Sequence, residues 1–143
     1  DSAVAAGGIE VLIDLARSGS ETQKEVAAAE LRSLARDDDN QVAIAAAGGI
    51  EVLIDLARSG TDAQKADAVG TLGNLAANED NEVAIAAAGG IEVLVGLARD
   101  GTDVHKEDAA DALWSLAANE DNQVAIAEAG GIEVLVGLAR DGT

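Results

Sequence analysis

Apolar residues recur along this chain at helical spacing, and the recurrence itself repeats. In IEVLIDLAR, Ile50, Leu53, Leu56 and Ala57 share one face of a helix over residues 50–58. A second stretch, from about residue 62 to 77, puts the stem of Lys65, Val69 (or Ala68), Leu72, Leu75 and Ala76 on its inner face. A third, DNEVAIAAA at 80–88, is short, with Val83 and Ile85 as its larger apolar residues and Asp80 or Asn81 as its N-cap. Polar punctuation separates the three. Arg58 stands in the last turn of the first helix, where it suits the helix dipole, and Gly60 follows as a stop. Thr61-Asp62-Ala63-Gln64 has the form of a capping box, as does Ser20-Glu21-Thr22-Gln23. In the next copy His105 replaces the Gln, which predicts a box with one arm lost.

The copies are strictly spaced. Gly-Gly stands at 7–8, 48–49, 89–90 and 130–131, a constant period of 41 residues. A fixed period without insertions means that each unit packs on its neighbour in the same way. The pattern predicts a single domain over residues 1–143. Its units are 7–47, 48–88 and 89–129, with a partial short helix at 1–6 and a partial unit at 130–143. Each Gly-Gly allows a sharp turn between the short helix and the long one after it.

One short helix joined through glycine to two longer ones resembles the armadillo repeat. The residues that carry the resemblance are the A-G-G-I-x-x-L turn and helix at Ala88 to Leu97, the G-T/S-D/E cap of the third helix, and the ending seen at Gly70 to Ala76 and Ala112 to Ala117. The run DNQVAIAEAGGI at 121–132 is similar to the same family. Tetratricopeptide units are shorter, at about 34 residues, and HEAT units lack the short first helix. The resemblance implies an all-α, right-handed α-solenoid of about three and a half armadillo-type three-helix repeats. The family often places Pro near the start of the second helix. Here Glu10, Glu51, Glu92 and Glu133 stand nearby and favour a helix N-terminus through the dipole. A nearly uniform array without Pro or Phe is also what an engineered or consensus-derived protein would look like.

Composition narrows the picture. The chain has no Pro, Cys, Met, Phe or Tyr and one Trp, Trp114. A core of Ala, Val, Ile and Leu must bring backbones close, which suits short stacked helices. The net charge of −18 argues against nucleic acid and against anionic membrane surfaces, both of which need clustered Lys and Arg. It suits a basic partner, or simply keeps an Ala-rich chain soluble. Without Cys there is neither a disulfide nor a thiolate metal site. No apolar run approaches the roughly 18 residues of a membrane-spanning helix. The opening DSAVAAGGIE lacks the basic segment of a signal peptide. Ile132, Leu135 and Leu138 repeat the internal pattern where a solenoid would carry a polar cap, which predicts a homo-oligomer formed through the terminal repeats.

No residue pattern points to an enzyme, a cofactor or a metal. His105, among Asp103, Lys106, Glu107 and Asp108, reads as a solvated surface residue, with no Cys and no motif Ser beside it. The runs DDDN (37–40) and NEDN (78–81, 119–122) lack the spacing of a Ca²⁺ loop and read as helix caps. The Gly-Gly pairs are not phosphate loops, since no Lys-Ser/Thr follows. Binding remains. Leu72 marks the buried side of its helix, and Asn74 lies about 200° around from it. The outward row is Asp67, Gly70, Asn74 and Asn78; its counterparts are Asp108, Asp111, Ser115, Asn119 and Val26, Ala29, Ser33, Asp37. The acids Asp67, Asp108 and Asp111 carry no interleaved Lys or Arg in these rows.

The armadillo resemblance implies that this surface is concave and that an Asn at the place of Asn74 holds the backbone of an extended peptide. Ser33 and Ser115 occupy that place in the other units, and Ala29, Gly70 and Asp111 stand where the family often has Trp. Trp114 stands one residue before the Asn place, on the flank of such a groove. A protein or an extended, preferably basic, peptide is the expected partner. The alternative is a structural or engineered repeat module without a dedicated ligand.

Overall fold

The computed structural model describes residues 2–141, with side chains from 7 to 140. Among the described residues, ten helices follow one another: α1 (Ser2–Ser18), α2 (Glu21–Leu34), α3 (Asp38–Ala46), α4 (Gly49–Ser59), α5 (Asp62–Leu75), α6 (Glu79–Ala87), α7 (Gly90–Asp100), α8 (Asp103–Leu116), α9 (Glu120–Glu128) and α10 (Gly131–Asp141). No strand is present among the described residues. The helices α2, α5 and α8 stack side by side. The helices α1, α4, α7 and α10 form a second layer behind them, and the short helices α3, α6 and α9 bridge one unit to the next.

The core runs unbroken along the stack. Leu31, Ile44, Leu53, Ile54, Leu72, Leu75, Ile85, Leu94, Leu113 and Leu116 are fully buried. Ala27, Ala28, Ala68, Ala109 and Ala112 lie between the long helices and let them approach closely. The inner face of α5 differs from the pattern in one respect: Lys65 is only half-buried, while Gln64 and Thr71 are buried. Thr71 tolerates this because its hydroxyl donates to the carbonyl of Asp67 at 2.7 Å.

Three local devices fix each unit. Ser20, Thr61 and Thr102 cap α2, α5 and α8, each through a complete capping box. Asp37, Asn78 and Asn119 cap the short helices, so α6 begins at Glu79 and the N-cap is Asn78 rather than Asp80 or Asn81. The first side chain of NEDN wins because its oxygen reaches the amide of Asn81, the third residue of the helix, at 3.1 Å. Gly48, Gly89 and Gly130 then turn the chain with φ between +83° and +87°. The first Gly-Gly makes no such turn, and α1 runs straight through Gly7 and Gly8. The internal turns follow a short helix tethered to the long helix before it, as Gln41 tethers α3 by donating to the Ala35 carbonyl at 2.8 Å. No tethering long helix precedes Gly7 among the described residues.

The tether is defective in one unit. Gln123 repeats the Gln41 bond by donating to Ala117 at 2.8 Å, but the equivalent residue in α6 is Glu82, 6% exposed, which as a carboxylate has no proton to donate to Ala76. The neighbouring Asn81 amide nitrogen is buried without a partner, whereas its counterparts Asn40 and Asn122 each donate to a carbonyl of the preceding helix at 3.0 Å. Burial, and secondarily the charge of Glu79, raises the Glu82 pKa above the ordinary value of 4.5. A raised folded-state pKa gives stability that is complete below the unfolded value and lost as pH rises through the folded one. Glu82→Gln is therefore expected to stabilise the protein at pH 7, by about 1–2 kcal/mol, and to do so much less at pH 4. Urea melts at both pH values check this. Glu120→Gln, an exposed change of equal charge, is the control; equal gains from both variants would refute it.

Candidate functional site

The outward faces of α2, α5 and α8 form the candidate site. The stack places them together because each carries its apolar residues on the opposite side, and because small residues let the helices approach. A Cβ added at Gly73 would lie only 3.5 Å from that of Ala112 across the α5–α8 contact. Between these helices lies a depression of about 180 Å³, lined by Arg32, Gly70, Gly73, Asn74, Asp108, Asp111 and Ser115. Four of the residues expected from the sequence thus converge: Asn74, Asp108, Asp111 and Ser115. The volume accommodates a side chain or two rather than a metabolite, whose pockets run to about 300–1,000 Å³.

Asp67 stands beside the depression through its contact with Arg32. Asn78 and Asn119 are engaged as the N-caps of α6 and α9, each accepting from a backbone amide at 3.1 Å. Ser33 is exposed on α2 and does not line the depression. Trp114 is 80% exposed and lies apart, over Ala117, Ala118 and Gln123. Trp114 thus does not line the depression.

The acidic row is not free of cations, contrary to the sequence expectation. Arg32 reaches into it from α2. Its Nη1 donates to the Ala66 carbonyl at 3.2 Å and lies 3.6 Å from the Asp67 carboxylate; its Nη2 donates to Asp108 at 3.3 Å. The side chain crosses from the first long helix to the third, over Gly70, where a Cβ would collide with the guanidinium. The signal was present in the sequence: a row position that is Ala29 and Asp111 in its neighbours becomes Gly70 between them, and Arg32 is a long side chain one place before the row. Two carboxylates, Asp67 and Asp108, contact this guanidinium, and Asp111 lines the same depression.

His105 belongs to the interior rather than to the surface. It is 3% exposed. Its Nδ1 accepts from the Thr102 amide at 3.3 Å, so the box keeps both arms, and Nε2 donates to the Asp62 carbonyl of the previous unit at 2.8 Å.

The armadillo/beta-catenin-like repeat family model matches residues 37–77, the stretch from the cap of α3 to the end of α5. Residues 78–118 repeat that stretch one period later with the same three helices. The fold is an armadillo-repeat solenoid. Among solved structures, an engineered protein is 35% identical, with a TM-score of 0.86 over 92% of this chain and 54% of its own. The structure of computationally designed armadillo repeat proteins for modular peptide recognition is 24% identical, with a TM-score of 0.90 over 99% of this chain and 66% of that one. A designed armadillo repeat protein in complex with peptide (KR)4 is 24% identical, with a TM-score of 0.89 over 96% of this chain and 59% of that one. The armadillo array described here thus spans about half to two-thirds of the length of these structures. No curated protein matches the chain. Four of the polar residues expected from the sequence, Asn74, Asp108, Asp111 and Ser115, gather on the ladder of long helices.

Proposed function

We propose that the ladder of α2, α5 and α8 binds an extended, basic peptide. The observation that carries this is the convergence of the Asn74 amide with Asp108, Asp111 and Ser115 in one side-chain-sized depression. An amide offers a donor and an acceptor together and can hold a peptide unit by both. The carboxylates favour Lys or Arg side chains on either side, and the net charge of −18 speeds the approach of a cationic partner at low salt. The complex of a designed armadillo protein with (KR)4 supports the chemistry of the guest. Asn74→Ala is expected to weaken binding of a fluorescent Arg/Lys-rich octapeptide about three- to tenfold in an anisotropy titration, the loss of roughly one hydrogen-bonding group. Unchanged affinity at low salt would remove Asn74 from the site.

Self-association is the second reading. Ile132 is 56% exposed on α10, while its counterpart Ile91 on α7, a helix of identical sequence, is 4% exposed. The charge of each copy opposes such contacts at low salt. Light scattering at high salt across a wide concentration range decides it: a constant monomer mass would refute this reading.

A further inference from the structure

We infer that Arg32 is a resident competitor for the seat that a guest guanidinium would take on the ladder. The inference rests on the peptide-binding reading and adds to it a determinant of affinity within the chain itself.

The seat is built from two units and filled by a third. Its floor is Gly70, its walls are Asp67 and Asp108, and the Ala66 carbonyl supplies a neutral acceptor. The carboxylates are largely shielded, with the Asp67 and Asp108 side chains 27% and 18% exposed. That shielding makes each worth more to a cation than a fully solvated carboxylate would be. The guanidinium suits the seat because its planar fork donates in several directions at once, here to acceptors on α5 and α8 together.

The occupant is not locked in. The Arg32 side chain remains 34% exposed, and its three contacts lie between 3.2 and 3.6 Å, the long end for charge-assisted bonds. It is held chiefly by being tethered next door, which gives it a high effective concentration at the seat. An incoming Arg must displace it, and the displaced cation then stays nearby and repels the guest. The other units carry no such plug. The residues equivalent to Arg32 are Gly73, which has no side chain, and Trp114, which is neutral.

The test compares Arg32→Gln with Arg58→Gln, which removes the same charge from an exposed site away from the ladder. In anisotropy titrations with an Arg-rich octapeptide, Arg32→Gln is expected to bind about tenfold tighter than Arg58→Gln. Adding Gly70→Ala to Arg32→Gln should erase the gain, because the new Cβ fills the seat. Separately, ethylguanidinium titrated into the Arg32→Gln protein should shift the amide resonances of Gly70 and Asp108, and leave those of the unsubstituted protein unmoved. Circular dichroism melts establish that each variant is folded; Arg32→Lys replaces Arg32→Gln if the latter is not. If the peptide binds and Asn74→Ala weakens it, yet Arg32→Gln matches Arg58→Gln, the competitor is refuted and the binding reading stands. If ethylguanidinium shifts the resonances but no peptide binds any form, the seat stands and the peptide reading fails. If ethylguanidinium shifts nothing in Arg32→Gln, the inference falls.

Discussion

Alanine at Gly90 lowers the melting temperature of this protein by roughly 3–10 °C, while alanine at Gly96, six residues along the same helix, raises it. The two changes are chemically identical and differ only in surroundings. A Cβ at Gly90 would lie 2.5 Å from Cγ2 of Ile85 and 2.8 Å from its backbone carbonyl oxygen. Ile85 is fully buried and its carbonyl belongs to α6, so neither atom can swing aside. The alternative is to move α7 away from α6, which opens the joint between units. Overpacking of this kind costs about 1–3 kcal/mol and occasionally more. At Gly96, nothing lies within 4 Å of the added atom. There the change replaces the more flexible residue inside a helix with a better helix former, worth up to about 1 kcal/mol. Thermal melts by circular dichroism on the two variants measure both effects. Two stabilising substitutions would show that the second glycine of the three later pairs, Gly49, Gly90 and Gly131, is not set by contact with the isoleucine before it. The first glycine of the pair answers to a different constraint, its φ of +87° at Gly89.

The solenoid was legible because every local signal is present several times. Capping serines and threonines, paired glycines and apolar stripes all fall on one period of 41 residues, so an error in one copy is corrected by the next. What resisted is what the period does not carry. Arg32 bonds to Asp108, 76 residues away, and the register of two neighbouring units decides whether a side chain can reach that far. Asn78 and Asn119 appeared on the outward row, as they are by position, but their oxygens are needed by the amides at the start of the next helix. His105 reads from the sequence as a surface residue, and Glu82 carries no signal of its own. Each replaces a glutamine found at the same place in other units, a place that is buried at Gln41 and Gln64 but exposed at Gln23 and Gln123.

His105→Ala is therefore expected to destabilise the array by about 2–3 kcal/mol, whereas His105→Gln should stay within about 1 kcal/mol of the parent. A surface histidine would not give the first result, since exposed substitutions rarely cost more than about 0.5 kcal/mol. The ring is buried between α8 and the start of α5, and it satisfies two backbone groups at once: the Thr102 amide through Nδ1 and the Asp62 carbonyl through Nε2. Alanine leaves the first without its capping arm and the second facing a cavity. Glutamine restores both, because Gln64 already does so one unit earlier. There Oε1 accepts from the Thr61 amide at 3.1 Å, and Nε2 donates to the Glu21 carbonyl at 3.4 Å. The bond to the previous unit matters as much as the cap. In a solenoid, stability is the sum of each unit's own and of its contacts with its neighbours, so loss at one joint uncouples the units on either side. Urea melts followed by Trp114 fluorescence and by circular dichroism report on this together. Trp114 stands on the same helix as His105, so in His105→Ala its transition should move to lower urea than the loss of total helix. Coincident transitions with an unchanged midpoint would return His105 to the surface role that its charged neighbours suggested.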